Sequence, residues 1–490
     1  MKKGQEYIGK VVKYEFPNKG IVEYIENNED GEIKNNIVVK GALEGQKVKF
    51  LLTKKRHGRC EGRLLEVVEK SPLQGRTAFC PHFDVCGGCV YQEMDYDVQK
   101  HLKADMVKNI LDEVIENEYE FEGILGSPYE WEYRNKMEFS FGDEYMDGPL
   151  ALGLHKKGSF YDIVSLRECR IVNEDYNKIV EGTLKFFKEK NVPFYHKMKH
   201  IGYLRHLLVR RSIKTGEILV ALVTASDFEA DECMGMTKTD MLESYKNMIL
   251  SLDLEGEVKG ILHIINDGLA DTVASDYTEV LFGEDFITEK ILGLEFKISA
   301  FSFFQTNSLG AEVLYEKARS YVGETKDKVI FDLYSGTGTI AQMLAPVAKK
   351  VVGVEIVEEA VAAAVENTKL NNLTNCEFIA GDVLKVIDEI KEKPDLIVLD
   401  PPRDGINPKA LNKIIDFGVD RLVYISCKPT SLARDLVVLQ ERGYRVEKVC
   451  AVDMFPQTTH VETVCLLSKL KSNHNIEIEL KLNGMDLTSV

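Results

Sequence analysis

The sequence predicts an α/β protein with a mainly parallel sheet of seven strands, preceded by an N-terminal OB-type β-barrel and a central mixed α+β region. Between residues 325 and 468, apolar strand runs alternate with helical segments, which is typical of a parallel sheet covered on both faces. Residues 1–70 hold five short strand-like runs separated by turn residues, as in a small barrel. We therefore expect domains at 1–70, 71–300 and 301–470, followed by a polar tail at 471–490 with no predicted role.

The predicted barrel carries a local excess of positive charge. Its strands are expected at YIGKVVKYE, GIVEYIE, NNIVVKG, QKVKFLLTKK and CEGRLLEVVE. Residues 1–70 hold 15 Lys and Arg against 11 Asp and Glu, whereas the whole chain has a net charge of −17. This asymmetry favours a nucleic-acid-binding barrel, with a β-module of no particular function as the alternative.

The region 71–300 is expected to begin with a helix and to continue as a mixed, largely strand-like segment. Apolar side chains in residues 97–116 recur near helical spacing, so we expect a helix over 97–120 that packs on the following α/β domain. Residues 195–214 contain six Lys and Arg and no acidic residue, with aromatic side chains interleaved. This favours a surface that follows RNA phosphates, with Arg210 as a candidate contact, and a solvated strand pair is the alternative.

Composition also bears on the compartment. No stretch approaches the ~18 apolar residues of a membrane span, and the N-terminus lacks the apolar core of a secretory signal. We expect a cytoplasmic protein with no membrane contact, and no protein partner is implied. Ten cysteines in 490 residues are too sparse for a disulfide scaffold, so clustered cysteines indicate metal binding or catalysis.

The first three strands of the predicted sheet end in residues suited to a nucleoside. FDLYSGTGTIA places Asp332, Gly336 and Gly338 at a junction of strand and helix, where glycine lets the backbone approach a ligand closely. The next strand ends in Glu355, which could accept two ribose hydroxyls, and the third ends next to Asp382, placed for an adenine amino group. The spacing differs from G-x-G-x-x-G and lacks a P-loop lysine. The set looks like the S-adenosylmethionine (SAM) site of a class I methyltransferase.

The fourth and fifth strands carry the motifs of a known family. The fourth ends in DPPR (400–403), the fifth in SCKP (426–429), and DMFPQTTHVETVCLL follows with Glu462. Pro429 has no N–H and must end the strand, so Cys427 is either a buried filler or a nucleophile at the ligand-binding edge of the sheet. Together with the glycine-rich segment, these motifs resemble the RNA uracil-C5 methyltransferase family over about residues 1–468.

The resemblance implies roles for the residues at these strand ends. C5 of uracil is a poor nucleophile, and a thiolate that adds to C6 makes C5 enolate-like and able to attack a methyl donor. Cys427 is then the nucleophile, Glu462 the base that removes the C5 proton, and Asp400 positions the uracil edge and borders the cofactor. Arg403 would stabilise charge on the ring or contact phosphate, with a salt-bridged loop arginine as the alternative. His460 is either functional or a satisfied structural histidine.

Two further segments match the family. FSFFQTN (301–307) contains its F-F-Q-x-N pattern, which implies that Gln305 contacts SAM, and Tyr334 of the glycine-rich segment is assigned to the same site. Phe303 could face the target base, although paired aromatics are more often core residues. EYRNKMEF resembles an RNA-contacting segment and indicates Arg134, with a salt-bridged strand arginine as the alternative.

A cysteine cluster completes the pattern. CPHFDVCGGC gives Cys80-x5-Cys86-x2-Cys89, and Cys169 lies eighty residues further on. The spacing predicts soft-ligand metal binding, either tetrahedral zinc or an iron–sulfur cluster. The resemblance implies a [4Fe–4S] cluster held by these four residues, with a structural or RNA-binding role.

The predicted activity is SAM-dependent formation of 5-methyluridine in 23S ribosomal RNA, because the TRAM-type barrel and the cysteines accompany that branch of the family. Methylation of tRNA is the second possibility. Amino-group methylation is a rival function, because DPP also occurs in amino-methylating enzymes. The other rival is an RNA-binding or assembly protein with an inactive catalytic domain, although every residue that the mechanism needs is present. Family members usually carry Asn after the catalytic cysteine, and we expect Lys428 here to favour the thiolate or to contact phosphate.

Overall fold

The computed structural model describes residues 1–28, 31–56, 59–228, 235–270 and 272–470. The predicted tail at 471–490 therefore lies outside the described residues. None of the described helices is long and apolar enough to cross a membrane.

A closed five-stranded barrel opens the chain and confirms the predicted β-barrel. Its strands run in the order β1-β2-β3-β5-β4 and enclose a small core that includes Val22, Ile37 and Phe50. The barrel docks on the body through buried tyrosines, with the hydroxyl oxygens of Tyr14 and Tyr91 3.1 Å apart. The strands are β1 (Glu6–Glu15), β2 (Lys19–Asn28), β3 (Gly31–Lys40), β4 (Lys47–Arg56) and β5 (Arg59–Glu69).

The predicted helix is shorter than expected. Helix α1 (Tyr96–Asp112) ends well before residue 120, and β6 (Glu120–Leu125) begins there instead. The intervening chain is held by the large sheet and its helices: Asn117 Nδ2 donates to the carbonyl of Val446 at 2.8 Å. The side chains of Val107 and Leu111 on α1 are buried in the core of that α/β region.

The central region is a seven-stranded mixed sheet in the order β13-β12-β11-β10-β7-β8-β9. Its helices cover one face, where Phe187 and Tyr245 stack with ring centroids 5.3 Å apart. Its other face packs on the remaining α/β part of the chain, where Leu208 and Leu219 of the sheet share a buried cluster with Phe296. The elements are β7 (Lys136–Asp143), β8 (Leu150–His155), β9 (Ile163–Ser165), α2 (Glu174–Glu189), β10 (Leu204–Arg211), β11 (Glu217–Thr224), α3 (Lys238–Leu250), β12 (Glu257–Ile265) and β13 (Tyr277–Gly283).

The large α/β sheet has eight strands, one more than predicted. All seven predicted strands form, in the order β18-β17-β16-β19-β20-β22-β21-β6, and β6 adds in parallel to the outer edge of β21. Strands β16 to β20 are parallel, whereas β22 runs antiparallel to β20. The strands are β16 (Thr325–Leu333), β17 (Ala348–Glu355), β18 (Cys376–Ala380), β19 (Leu396–Leu399), β20 (Arg421–Ser426), β21 (Tyr444–Val452) and β22 (Glu462–Lys469).

Helices cover both faces of this sheet, and a hairpin precedes it. The central parallel strands β19 and β20 are buried almost completely, as their unbroken apolar runs predict, whereas β18 at the edge is only partly buried. The remaining elements are β14 (Phe286–Ile291), β15 (Leu294–Ser299), α4 (Ser308–Val322), α5 (Thr339–Leu344), a 3₁₀ turn at Ala345–Val347, α6 (Glu358–Leu370), α7 (Val383–Val386), α8 (Pro408–Asp416) and α9 (Pro429–Glu441).

Candidate active site

A cleft of about 1400 Å³ opens at the carboxyl ends of the parallel strands. This is the edge at which open α/β sheets bind their ligands. Most of the predicted site residues meet on its walls. They are Arg134, Phe303, Gln305, Tyr334, Gly336, Glu355, Asp382, Asp400, Arg403, Cys427 and Glu462.

The glycine-rich turn after β16 shapes one end of the cleft. Tyr334, Gly336 and Gly338 have φ values of 71°, 54° and 74°, so the turn uses left-handed backbone at alternate positions. The N–H of Gly336 donates to Glu355 Oε2 at 2.9 Å, and the N–H of Val357 donates to its Oε1 at 3.0 Å. The carboxylate that is predicted to hold a ribose is therefore fixed by the backbone of the turn.

Two predicted cofactor residues lie beneath the cleft rather than on its wall. A side chain at Gly338 would come within 2.6 Å of the Phe378 ring, so this glycine allows the turn to pack on β18. Asp332 is fully buried, and neither of its carboxylate oxygens has a hydrogen-bond partner among the described residues. Burial and the nearby charge of Asp400 raise the pKa of Asp332 to about 8.

The Cys427 thiol sits where β20 gives way to α9, as Pro429 predicts. Burial first, and then the carboxylates of Glu462 and Asp400, raise the pKa of this half-buried thiol to about 11, whereas Arg403 opposes the rise. The expectation that Lys428 favours the thiolate is not supported, since its Nζ lies 3.9 Å from Asp404 Oδ1 and the thiol pKa is raised. Arg403 is the cation that favours the thiolate.

Two carboxyl groups border the thiol: Glu462 is buried and Asp400 is half-buried. Burial raises the pKa of Asp400 to about 7. Burial and the charge of Asp400 raise the pKa of Glu462 to about 8, and Arg403 again opposes the rise. A carboxyl group that titrates near neutral pH can take up or release a proton during a reaction, which suits a general base.

Aromatic and cationic side chains surround the mouth of the cleft. Phe303 is 70% exposed, whereas Phe304 is 5% exposed and belongs to the core, so the two aromatics have opposite environments. The Thr337 hydroxyl donates to the carbonyl of Phe303 at 3.3 Å and ties this segment to the glycine-rich turn. His460 also lines the cleft, and burial with the charge of Arg403 lowers the pKa of its imidazole to about 4, so the ring is neutral at pH 7.

The prediction that Arg210 contacts RNA needs correction. The part of the basic run at Leu204–Arg211 forms β10, a central strand of the seven-stranded sheet, and Arg210 is only 2% exposed. Its guanidinium donates to the carbonyls of Ala300 and Ser302, so it supports the segment that carries Phe303. Arg211 of the same strand pairs with Asp175, with Nε and Oδ2 2.9 Å apart.

A buried polar network, which the sequence did not reveal, fixes the FFQTN segment. Asn135 Nδ2 donates to the carbonyl of Gln305 at 3.0 Å and to Ser308 Oγ at 2.7 Å. Ser308 Oγ donates in turn to the buried carboxylate of Glu289 at 2.7 Å. Asn135 directly follows Arg134, so the cleft arginine and the Gln305 backbone are held by one strand end. Asn135 stands between Arg134 and Lys136 in the sequence, so no local signal marks it as buried.

The four predicted metal ligands are free thiols in one region. The thiols of Cys80, Cys86 and Cys89 lie close enough to Cys169 that, after burial, they raise its pKa to about 12. In the described part of the chain, however, no three His, Cys, Asp or Glu side chains are arranged to hold a metal ion. The arrangement of these side chains therefore does not support the predicted [4Fe–4S] cluster.

The family model described as tRNA (uracil-5-)-methyltransferase matches residues 272–470. Proteins described as uncharacterized RNA methyltransferases from Clostridium tetani and Caldanaerobacter subterraneus are 48% and 46% identical; the alignments cover 95% and 96% of this chain and 98% and 100% of the relatives.

One solved structure is similar over almost the whole chain. It is a Pyrococcus abyssi tRNA (uracil-54, C5)-methyltransferase in complex with S-adenosyl-L-homocysteine, 25% identical, with a TM-score of 0.70. The similarity covers 94% of this chain and 100% of that one.

Proposed function

The chain belongs to the RNA uracil-C5 methyltransferase family, and we propose that it makes 5-methyluridine in 23S ribosomal RNA through a covalent adduct between Cys427 and C6 of the base. The observation that carries the proposal is the meeting of Cys427, Glu462 and Asp400 in one cleft with the glycine-rich turn. A thiol, a buried carboxyl group and a nucleoside-sized cradle are the parts that this reaction requires.

The cleft residues fit SAM. Glu355 presents a carboxylate oriented by backbone N–H groups, Gly336 leaves the turn without a side chain, and Asp382 and Ile356 lie on the adjoining wall. We propose that Glu355 holds the ribose of SAM and that Asp382 holds the adenine amino group. Gln305 and Tyr334 would contact the remainder of the cofactor. When bound, SAM supplies the methyl group.

The residues of the chain would perform the other steps. The Cys427 thiolate adds to C6, and the electron pair displaced from the C5–C6 double bond makes C5 nucleophilic while Arg403 offsets charge on the ring. Once C5 carries the methyl group, Glu462 takes the C5 proton, the double bond re-forms and the bond between sulfur and C6 breaks. Asp400 borders both groups and would hold the uracil edge.

Trapping with RNA that contains 5-fluorouridine tests this mechanism. Fluorine cannot leave as a cation, so the adduct should persist as a band that resists SDS and that depends on SAM and Cys427. A folded, SAM-bound protein that gives no such adduct would instead support a non-catalytic RNA-binding role.

The ribosomal substrate rests on the barrel and the cysteine pattern, which resemble that branch of the family. A second candidate is tRNA, favoured by the similarity in fold to the Pyrococcus abyssi enzyme along nearly the full chain. Methyl transfer from labelled SAM to unmodified 23S ribosomal RNA and tRNA, with the product site mapped, separates the two. Methylation of tRNA alone would overturn the ribosomal assignment.

We also propose that Cys80, Cys86, Cys89 and Cys169 hold a [4Fe–4S] cluster. The proposal rests on the spacing Cys80-x5-Cys86-x2-Cys89 and on the resemblance to the family, and not on the arrangement of the side chains. Protein purified without oxygen should contain iron and absorb broadly near about 400 nm. Stoichiometric zinc without iron would contradict the cluster.

A further inference from the structure

We propose that Asp435 is a positioning residue for the reaction: its buried carboxylate holds the loop at 403–406 against α9 and thereby fixes where Arg403 lies relative to Cys427. We name residues 403–406 the arginine loop. The inference deepens the proposed function and rests on it, because it takes Cys427 as the nucleophile. Asp435 lies on α9, the helix that follows Cys427, and is 2% exposed. A carboxylate is seldom buried so completely unless hydrogen-bond donors surround it.

The carboxylate of Asp435 joins the arginine loop to the strand that carries the nucleophile. Its Oδ2 accepts from the N–H of Ile406 at 2.8 Å and from the hydroxyl of Tyr424 at 2.7 Å. Ile406 ends the arginine loop, and Tyr424 lies on β20, the strand that leads to Cys427. One oxygen atom therefore fixes the end of the loop to the sheet beside the thiol.

Two further side chains of α9 hold the same loop. Ser431, which is buried, donates through Oγ to the carbonyl of Arg403 at 2.7 Å. Arg434 donates through Nη2 to the carbonyl of Asp404 at 2.8 Å and to Asp435 Oδ1 at 2.7 Å, so the carboxylate also orients this arginine. The backbone of the arginine loop is therefore bound to α9 at its first two residues and at its last one.

Gly405 brings the loop into close contact with the carboxylate. Its φ of 75° is left-handed, and a Cβ at this position would come 2.7 Å from Asp435 Oδ2. The N–H of Gly405 donates to the carbonyl of Pro402 at 2.8 Å, which closes the turn of the loop. The loop thus approaches Asp435 with its backbone and leaves the Arg403 side chain to face the cleft.

Arg403 depends on this backbone for its place. Within the described residues, its guanidinium has no hydrogen bond and no ion pair, although the residue lines the cleft with Cys427, Glu462 and His460. Burial is the main cause of the pKa shift of each of those three groups, and the positive charge of Arg403 lowers all three pKa values. Because no partner holds the long Arg403 side chain, the position of its charge is set by where the loop places its backbone.

The other charges that face the thiol are held by other elements. After burial, the carboxylates of Glu462 and Asp400 raise the pKa of Cys427. Glu462 begins β22, and the N–H of Asp400 donates to the carbonyl of Leu333 at 3.3 Å, so the sheet fixes both. The Lys428 ammonium lies 3.9 Å from the Asp404 carboxylate instead. A displaced arginine loop would therefore weaken the cation and leave the two carboxylates in place.

Alkylation of Cys427 by iodoacetamide at a series of pH values, read by mass spectrometry of the full chain, tests the proposal. Asp435→Ala should slow labelling about threefold at pH 8, which corresponds to a rise of about half a unit in the thiol pKa. Removal of a nearby negative charge would by itself lower the thiol pKa and speed labelling, so the direction separates positioning from a direct charge effect. Glu441→Gln removes an exposed carboxylate from the same helix and should label like the wild type.

A double variant shows whether the effect passes through Arg403. In the Arg403→Gln background, Asp435→Ala should slow labelling no further, because the cation that it positions is already absent. Ser431→Ala keeps the carboxylate and removes only the bond to the Arg403 carbonyl, so it decides the matter if Asp435→Ala does not fold. It should slow labelling about twofold. Thr430→Ala, which removes the exposed hydroxyl next to it, is its matched control.

Three results would overturn the inference: wild-type labelling in folded Asp435→Ala, or in Ser431→Ala where Asp435→Ala does not fold; faster labelling in either variant; or an equal further slowing in the Arg403→Gln background. The proposed function is tested separately, by the adduct with 5-fluorouridine RNA. Slower labelling of the variants together with a wild-type protein that forms no adduct would overturn the function and leave the placement of Arg403 by Asp435 standing. An adduct in the wild type with unchanged labelling in the variants would do the reverse.

Discussion

Lys103 and Asp453 form an ion pair with no solvent exposure, with Nζ and Oδ1 2.7 Å apart. The same ammonium donates to the carbonyl of Phe455 at 3.1 Å. The pair joins α1 to the loop that leads to His460 and Glu462 in the cleft. Since two charges removed from water are stable only when they remain together, the pair fixes this loop against the helix.

We predict that Lys103→Met lowers the free energy of unfolding by about 3–5 kcal/mol, because it leaves the Asp453 carboxylate buried without its partner. Lys108→Met is the matched control: this lysine lies on the same helix, is 45% exposed and pairs with Asp112, so its loss should cost below about 0.5 kcal/mol. Denaturant unfolding measures both. Equal losses in the two variants would contradict a special role for the buried pair.

Cys427→Ala is expected to reduce methyl transfer by at least about a thousandfold, because the variant lacks the atom that adds to C6. SAM affinity should be retained, since the glycine-rich turn and Glu355 are untouched. Cys376→Ala removes another thiol from the same sheet, on β18, and should remain active. Undiminished transfer by Cys427→Ala, measured with labelled SAM, would favour amino-group methylation.

The strands were predictable where the pattern is local. Each buried strand of the large sheet is a short apolar run that ends in turn residues, as in LIVLDPP, and its ligand-binding end follows from the parallel topology. EFEGIL became an eighth strand because it pairs with β21 at the Lys448 and Val452 positions, more than three hundred residues away in sequence. Periodicity within a short segment contains no information about such a partner.

The candidate site, too, was predictable only where a local sequence pattern determines it. Cleft residues such as Gly336 and Asp400 follow strands, so their meeting could be anticipated from the topology. The burial of Asp332 and of Arg210 could not be anticipated, because the residues that surround them come from distant segments. Arg210 is held by the carbonyls of Ala300 and Ser302, and main-chain carbonyls have no signature in a sequence.

Arg403→Gln should shift the alkylation of Cys427 to higher pH, because Arg403 is the cation that opposes the rise of the thiol pKa. Its removal leaves burial and the carboxylates unopposed, so less thiolate is present at any given pH. Lys428→Asn should leave the profile where it is, since Lys428 lies near Asp404. Iodoacetamide labelling of Cys427 at a series of pH values, followed by mass spectrometry, measures the reactivity of the thiol without requiring turnover. A shift of the alkylation profile in Lys428→Asn but not in Arg403→Gln would show that Lys428, and not Arg403, favours the thiolate.

Stability of the SAM-free protein should fall as pH rises from about 5 to about 8. Asp332 has a folded pKa of about 8, raised above its usual value by burial, so the folded state retains a proton that the unfolded state releases. The contribution of protonated Asp332 to stability is therefore complete at a pH below the pKa of the unfolded state. It is lost as the pH rises toward the pKa of the folded state. Asp332→Asn should reduce this slope without abolishing it, because the raised pKa values of Asp400 and Glu462 act in the same direction, and the variant should be more stable than the wild type at pH 8. Asp420→Asn, at an exposed position in the same region, should keep the wild-type slope.

Gly338→Ala should abolish SAM binding and destabilise the fold, whereas Gly293→Ala should only weaken stability slightly. Both glycines have left-handed backbone, with φ values of 74° and 84°, so an alanine costs about 1–2 kcal/mol of backbone strain at either position. A Cβ at Gly338 would also come within 2.6 Å of the Phe378 ring and 2.9 Å of Ala364 Cβ, while Gly293 has no heavy atom within 4 Å of that position. The difference between the variants isolates the close packing of the turn on β18. Calorimetric titration with SAM and thermal unfolding measure it, and similar behaviour of the two would show that backbone conformation alone explains the need for glycine.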